Sequence, residues 1–134
     1  MTRPILIIED DPDIAELLRY SLTAQHFETR VAFTGGEGLA ACLDKQCPPG
    51  LILLDFLLPE MNGLEICRRL RKEPATADIP IIMVTAKSSL ADVESARAAG
   101  VNDYFTKPFS LRTLMESIGA LLNAKASDRT PKIL

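Results

Sequence analysis

The sequence predicts an α/β fold in which a doubly wound, five-stranded parallel sheet of order 2-1-3-4-5 carries helices on both faces. Short apolar runs alternate with helical patterns along the chain, and each unit has about the size of a strand–helix–strand crossover. Several runs are apolar at every position, which is typical of strands buried on both faces of a parallel sheet. The sequence contains no Gly-x-Gly-x-x-Gly and no Walker glycine–lysine loop, and this favours the stated order over the nucleotide-binding one.

The first half of the chain predicts two strands and two helices. Residues 5–8 are all apolar and form the first predicted strand, and Asp11 is placed to cap the helix that follows. Residues 27–33 alternate and are rich in β-formers, so they predict the second strand. A capping-box spacing at residues 34–37 opens the second helix, which we expect to run to about Lys45.

The third predicted strand, residues 51–54, ends directly in Asp55. A carboxylate at this position has two interpretations. It is commonly a helix cap or loop residue, but it is also a candidate reacting or metal-binding group, because parallel sheets bind ligands at the carboxyl ends of their strands. The next helix carries a cluster of cations that we interpret as a solvated face: Arg68, Arg69, Arg71 and Lys72.

The second half predicts two more strands, each followed by a helix. Residues 79–84 form the fourth strand, and Ser89 is placed to cap the helix that Gly100 terminates. Residues 101–106 form the fifth strand, and Ser110 caps the last helix. Five strands and five helices result, and with order 2-1-3-4-5 the arrangement is a flavodoxin-like (βα)5 fold.

The composition indicates a single soluble domain. At 134 residues the chain is long enough to bury a core without disulfides. Its net charge of −3 provides no basic surface, so we expect no direct nucleic-acid binding by this domain. Three cysteines without metal-ligand spacing indicate reduced thiols, and no apolar run is long enough for a membrane span. We expect a cytoplasmic protein without membrane contact, with its domain at residues 1–123.

Residues 124–134 lose the helical pattern and are interpreted as a linker or as the start of a following domain. The sequence at residues 130–134 resembles that at residues 2–6, where the first strand opens. This similarity is either an accidental short match or the beginning of a second domain that also starts with a strand. Both interpretations stay open.

Polar residues follow four of the predicted strands. In the order 2-1-3-4-5 the first and third strands are neighbours, so Glu9, Asp10 and Asp55 are expected to meet at the switch point of the sheet. Three clustered carboxylates repel one another and are stabilised by a divalent cation. Oxygen ligands suit Mg²⁺, or a similar ion such as Mn²⁺. Thr85 and Lys107, from the fourth and fifth strands, suit phosphate oxygens.

These groups together predict phosphoryl transfer. Asp55 would act as the nucleophile and form an acyl phosphate. The cation and Lys107 would neutralise charge on the equatorial phosphoryl oxygens, because positioning and electrostatics supply most of the catalysis in this chemistry. Ala86 is small and would leave space for the phosphoryl group.

Over about residues 3 to 123 the sequence resembles the receiver domain of two-component response regulators, the CheY-like superfamily. The segments that carry the resemblance are Ile5-Leu6-Ile7-Ile8-Glu9-Asp10-Asp11, Leu53-Leu54-Asp55 with Pro59 and Gly63, Val84-Thr85-Ala86, and Asp103-Tyr104-Phe105-Thr106-Lys107-Pro108-Phe109. The resemblance implies that Asp55 is the phosphoacceptor and that Glu9 and Asp10 form the acidic pair at the metal.

The same resemblance implies roles for further residues. Leu57 would supply a backbone carbonyl to the metal, and a cis peptide bond would follow Lys107. Thr85 would be the switch hydroxyl and Tyr104 the switch aromatic, so that phosphorylation alters the surface formed by the fourth helix, the fifth strand and the fifth helix. Leu57 and Lys87 would flank the reactive site and tune the lifetime of the phosphoryl group.

The resemblance implies a partner on each side of the signal. A sensor histidine kinase or a phosphotransfer protein would donate the phosphoryl group, and an output domain or partner protein would respond. We expect only self-catalysed phosphorylation and dephosphorylation, with no turnover of a separate substrate. Homodimerisation on phosphorylation stays open. His26, the only histidine, is not expected to take part in phosphotransfer.

Two rival functions would use part of the same pattern. A pseudo-receiver would act as a constitutive interaction module whose site is no longer used, and the complete set of site residues argues against it. A phosphatase of the haloacid dehalogenase type also uses an aspartate nucleophile. That class expects a second aspartate two residues after the first, where this chain has Leu57.

Overall fold

The structure, a computed structural model, describes residues 3–124. Within them lies one five-stranded parallel sheet of order β2-β1-β3-β4-β5, which confirms the predicted fold. The elements follow one another as β1 (Ile5–Ile8), α1 (Pro12–Ala24), β2 (Thr29–Ala32), α2 (Gly35–Cys42), β3 (Leu51–Leu54), α3 (Gly63–Lys72), β4 (Ile81–Thr85), α4 (Leu90–Ala99), β5 (Asp103–Thr106) and α5 (Leu111–Asn123).

Two apolar layers cover the sheet, one on each face. Alternate residues of the central strands point to opposite faces, so Leu6 and Ile8 pack with α2, α3 and α4, whereas Ile5 and Ile7 pack with α1 and α5. Both sets are buried. This is why β1, β3 and β4 are apolar at nearly every position and do not alternate.

Two predicted elements in the first half, the second strand and the second helix, are shorter than expected. β2 starts at Thr29 because the Phe27 amide donates to an α1 carbonyl, and it stops at Ala32. Beyond that end, the Phe33 amide donates to Glu37 Oε1, at 2.6 Å, within the capping box. The second helix was predicted to reach about residue 45 and ends at Cys42.

The last two strands start later than predicted. β4 begins at Ile81 because the preceding residue, Pro80, has no amide hydrogen to contribute to the ladder. β5 begins at Asp103, because Asn102 binds Ile81 partly through its side chain. The Asn102 amide donates to the Ile81 carbonyl, and the Asn102 side-chain oxygen accepts from the Ile81 amide at 2.8 Å.

The predicted helix caps are confirmed. Asp11 accepts from the Asp13 amide at 2.9 Å, and Ser89 and Ser110 accept from amides in the first turns of α4 and α5. Gly100 ends α4 in the left-handed region, with φ of 106°. Asn62 is the N-cap of α3, and its side-chain oxygen accepts from the Glu65 amide at 3.0 Å.

The basic face of α3 is solvated only in part. Arg68, Arg69 and Lys72 are exposed, as predicted. Arg71 is an exception and turns towards the body of the domain, where its guanidinium donates to backbone and side-chain oxygens. The interpretation of the whole cluster as a solvated face is therefore wrong at this one position.

Two further observations bear on the domain predictions. Of the predicted linker, residues 125–134 lie outside the described residues. Among residues 3–124, no helix is both long enough and apolar enough to cross a membrane.

Candidate functional site

The strand register brings the predicted acidic residues together. Ile8 of β1 pairs with Leu54 of β3, so Glu9 and Asp55 leave the sheet side by side. The Asp55 amide donates to the Ile8 carbonyl at 3.0 Å, which extends the ladder by one residue. One carboxylate oxygen from each of Glu9, Asp10 and Asp55 lies within 4.8 Å of the other two. Glu9 and Asp55 are buried, with 2% and 6% exposure, and Asp10 is exposed.

Lys107 reaches this cluster from the end of β5. Its ammonium lies 2.9 Å from Asp55 Oδ2 and 2.7 Å from Glu9 Oε1. Its backbone amide donates to the Thr85 carbonyl at 2.8 Å. The peptide bond to Pro108 is cis, as the resemblance implied.

The site carries three carboxylates and one cation, and the pKa values of Glu9 and Lys107 reflect that imbalance. Burial raises the pKa of Glu9 to about 7, and repulsion by Asp55 adds to the effect, although the Lys107 ammonium and the Asp11 amide oppose it. Burial alone would lower the pKa of Lys107. Its hydrogen bonds to Glu9 and Asp55 prevail and raise it, so the lysine stays charged.

The loop after β3 is held tightly behind Asp55. The Gly63 amide donates to the Phe56 carbonyl at 2.8 Å, and a Cβ at Gly63 would overlap the carbonyl of Asp55. Only glycine therefore lets α3 start so close to the strand end. The Leu57 amide donates to Asp55 Oδ1 at 3.3 Å, and Leu57 as a whole is 55% exposed.

The two predicted switch residues both contact Lys87, in the loop between β4 and α4. Thr85 is fully buried, and its hydroxyl oxygen accepts from the Lys87 amide at 3.3 Å. The Tyr104 hydroxyl donates to the Lys87 carbonyl at 2.6 Å. Burial raises the pKa of Tyr104 to about 12, and the charges of Asp92 and Asp55 add to the shift. Ala86 lies exposed between the two contacts.

Lys87 was expected to flank the site, but its two side-chain partners, Phe56 and Asp92, were not predicted. The Lys87 ammonium lies 5.0 Å from the centre of the Phe56 ring and 3.6 Å from Asp92 Oδ1. Asp92 lies in the first turn of α4, and nothing in the sequence pattern indicated that it faces a lysine of the preceding loop.

His26 lies apart from this site. It is exposed at the turn from α1 to β2, in a left-handed conformation with φ of 69°. That turn is at the opposite edge of the sheet from Asp55, because it precedes β2 and the site follows β1.

A cavity of about 550 Å³ lies elsewhere, between the C-terminal ends of α2 and α3. Leu39, Cys42 and Pro48 contribute to its largely apolar wall. It lacks the convergence of buried carboxylates and ammonium seen around Asp55, so we assign the chemistry to the acidic cluster and not to this cavity.

The acidic cluster combines a carboxylate at the end of a strand, Asp55, with the Lys107 ammonium. A carboxylate at the end of a rigid strand can act as a nucleophile. Lys107 can neutralise charge that develops on a group bound to it. The donor set consists of oxygens alone and keeps an excess of negative charge, so it also fits a hard divalent cation.

Comparison with known proteins agrees with this geometry. The family model of the response regulator receiver domain matches residues 5–119. The DNA-binding dual master transcriptional regulator RpaA of Synechocystis sp. is 38% identical over 96% of the chain, which covers 52% of that protein. The DNA-binding response regulator MtrA of Mycolicibacterium smegmatis is 39% identical over 91% of the chain, which covers 51% of it. The chain thus spans about half the length of these curated relatives.

Solved structures show the same architecture. A putative response regulator from Chloroflexus aurantiacus superimposes with a TM-score of 0.85 at 32% identity, covering 92% of this chain and 100% of that one. The match to the family model and the identity to these relatives agree with the fold. The chain therefore belongs to the response regulator receiver domain family.

Proposed function

We propose that this receiver domain accepts a phosphoryl group on Asp55 from a sensor histidine kinase or a phosphotransfer protein. The observation that supports the proposal most strongly is the placement of the Lys107 ammonium, which touches Asp55 and Glu9 at once within an otherwise acidic cluster. An ion pair that only stabilises the fold needs one carboxylate beside the lysine. A cation shared by two buried carboxylates, beside a third, is an arrangement suited to a phosphoryl group.

The transfer is a displacement at phosphorus. A carboxylate oxygen of Asp55 forms the new O–P bond while the bond from phosphorus to the histidine nitrogen of the donor breaks. The electron pair of that bond stays on the departing imidazole nitrogen, which takes up a proton from solvent. Lys107, 2.9 Å from Asp55, neutralises charge on the transferred phosphoryl oxygens. Ala86, which is small and exposed, would leave room for the phosphoryl group. Hydrolysis of the acyl phosphate returns the domain to its starting state, without turnover of a separate substrate.

The residues present fit Mg²⁺, or Mn²⁺, at this site. Glu9, Asp10 and Asp55 would hold the ion with their carboxylates, and Leu57 would add its backbone carbonyl. When bound, the ion neutralises negative charge on the phosphoryl oxygens and on the carboxylates themselves.

Phosphorylation would be sensed through Thr85 and Tyr104. New acceptor oxygens on Asp55 would draw the Thr85 hydroxyl towards them, and Tyr104 would respond through the loop that both contact. The surface at residues 87–100, with β5 and α5, would then change its affinity for an output domain, a partner protein or a second copy of the domain.

Two relatives support an output of that kind. RpaA and MtrA are named as DNA-binding regulators, and this chain spans about half of each. We propose that nucleic-acid contact, where it occurs, belongs to an output domain or partner, because the receiver itself carries a net charge of −3. We also propose a cytoplasmic location, where a histidine kinase would reach it.

The test is incubation with acetyl phosphate and Mg²⁺, followed by intact mass measurement. We expect the wild type to gain one phosphoryl group, and Asp55→Ala to gain none. Asp13→Asn, on the exposed start of α1, is the matched control and should behave as the wild type. EDTA should abolish the gain. A wild type that gains no phosphoryl group and binds no fluoroberyllate would instead support a pseudo-receiver.

A further inference from the structure

Lys87 makes side-chain contacts on two sides of the loop that carries it. Its ammonium lies 5.0 Å from the centre of the Phe56 ring, which follows Asp55 directly. The same ammonium lies 3.6 Å from Asp92 Oδ1 in the first turn of α4. Both partners of this ion pair are partly buried, with side-chain exposures of 33% and 24%, so water screens them less than a fully exposed pair. The side chain thus bridges the loop after β3 and the start of α4.

The backbone of Lys87 is also shared. Its amide donates to the Thr85 hydroxyl oxygen at 3.3 Å, and its carbonyl accepts from the Tyr104 hydroxyl at 2.6 Å. A displacement of this one residue therefore changes a hydrogen bond to each of the two hydroxyl groups. The hydrogen bond from the Tyr104 hydroxyl therefore depends on the position of the Lys87 carbonyl.

We propose that Lys87 is a positioning residue whose ammonium, held between Phe56 and Asp92, keeps the loop in place and so holds the Tyr104 hydroxyl on the Lys87 carbonyl. The proposal deepens the proposed function, on which its signalling role rests. The lysine ammonium contacts the Phe56 ring and Asp92 of α4. Its role therefore concerns how the signal is passed to Tyr104, through the position of the loop. Residue 87 was expected from sequence to tune the lifetime of the phosphoryl group, and this is a different role.

The contacts allow the side chain to be tested apart from the acceptor. Tyr104 bonds to the backbone carbonyl, so Lys87→Met removes the charge but leaves the acceptor atom in the chain. Any loss of the tyrosine contact then reports a shift of the loop. Lys87→Arg keeps a cation for both the ring and the carboxylate and should restore the wild-type behaviour. Lys45→Met, at an exposed lysine, is the matched control.

The readout is the accessibility of Tyr104. The chain has no tryptophan and two tyrosines, Tyr20 and Tyr104, and Tyr20 is 70% exposed on α1. A Tyr20→Phe background therefore leaves Tyr104 as the single tyrosine emitter. Quenching of its fluorescence by acrylamide, without metal or phosphoryl donor, measures how far the ring is held in place. Urea midpoints confirm that each variant is folded.

We expect the quenching constant of Tyr104 to rise at least twofold in Lys87→Met and in Asp92→Asn. The double variant should not exceed the larger single effect, because both changes break the same link. Lys87→Arg and Lys45→Met should match the wild type. Equal quenching in Lys87→Met and Lys45→Met, or effects of the two single changes that simply add, would overturn the proposal.

Fluoroberyllate with Mg²⁺ separates this proposal from the proposed function. If the proposed function holds, the mimic binds wild type and Lys87→Met, and changes Tyr104 quenching by a smaller factor in the variant. If the mimic does not bind the wild type, the proposed function fails, whereas the comparison without the mimic still decides the role of Lys87. An equal response to the mimic in both proteins would contradict the coupling through Lys87.

Discussion

Replacing Arg71 with methionine tests whether one arginine of α3 ties the starts of β4 and β5 together. The acceptors of its guanidinium belong to the turn before β4 and to the segment between α4 and β5. They are the carbonyls of Gly100 at 3.0 Å, Ala77 at 3.0 Å and Ile79 at 2.7 Å, and the side-chain oxygen of Asn102 at 2.9 Å. The strands that start at these segments end at Thr85 and just before Lys107 in the site.

The magnitude follows from these contacts. A hydrogen bond to a charged group contributes about 1.5–3 kcal/mol, so four would add to about 6–12 kcal/mol if they were independent. That sum approaches the whole stability of a domain, about 5–15 kcal/mol. Arg71 is only partly buried, so water replaces part of what is lost. We expect Arg71→Met to lower the free energy of unfolding by about 2–4 kcal/mol. Arg71→Lys keeps the charge without the planar fork and should cost about 1–3 kcal/mol.

Urea unfolding of the metal-free domain measures the change, with the slope of the transition checked for two-state behaviour. Arg69→Met is the matched control, because Arg69 lies on the same helix and makes an exposed ion pair with Glu65 at 3.0 Å. Such a pair contributes about 0.5 kcal/mol or less. If Arg71→Met were within about 0.5 kcal/mol of Arg69→Met, the inward hydrogen bonds would not stabilise the domain as argued.

Three further predictions concern buried groups. The pKa of Glu9 is raised from 4.5 to about 7, so its contribution to stability is present below pH 4.5 and is lost as the pH rises towards 7. Glu9→Gln should therefore stabilise the metal-free domain by about 1–3 kcal/mol at pH 8, after a reduction for solvent screening. This gain, measured by urea unfolding, should vanish near pH 5. A gain that does not depend on pH would contradict the argument. Burial raises the pKa of Cys42 to about 12 and that of Cys67 to about 11, so a thiol reagent should label Cys47 alone in the native state, and rapid labelling of all three would be inconsistent with the packing. Gly63→Ala should cost about 1–3 kcal/mol in urea unfolding, because the new methyl group meets a backbone carbonyl, and an unchanged midpoint would show that the loop yields freely.

Much of the fold could be predicted because the signals that specify it are local. Continuous apolar runs identify strands buried on both faces, and side chains such as Asp11 and Ser89 take up the free amides of the helices that follow them. The element ends were less accurate. Two of the lost strand residues show why. The Phe33 amide donates to the Glu37 side chain, and the side chain of Asn102 itself accepts the Ile81 amide.

The candidate site could be predicted as a set of residues but not as a set of contacts. Topology alone brings Glu9 and Asp55 together, because parallel strands end at the same edge of the sheet. The direction of a long flexible side chain is not specified by its position in the sequence. Arg71 and Lys72 are neighbours on a helix, yet one turns inward and the other is exposed. The partners of Lys87 escaped prediction for the same reason.

The reacting groups and the sensing groups are supported in different ways, and this difference bears on how a signal could pass. Asp55 and Glu9 follow central strands, and their amides extend the ladder by bonding the carbonyls of Ile8 and Ala32. Tyr104, on β5, donates instead to a carbonyl of the loop after β4, that of Lys87, whose side chain is partly exposed. Loops with few buried contacts open at a lower free energy than core strands. A charge placed on Asp55 would therefore leave the strands unmoved and displace the loop, which makes the segment around Lys87 the first part of the domain expected to change.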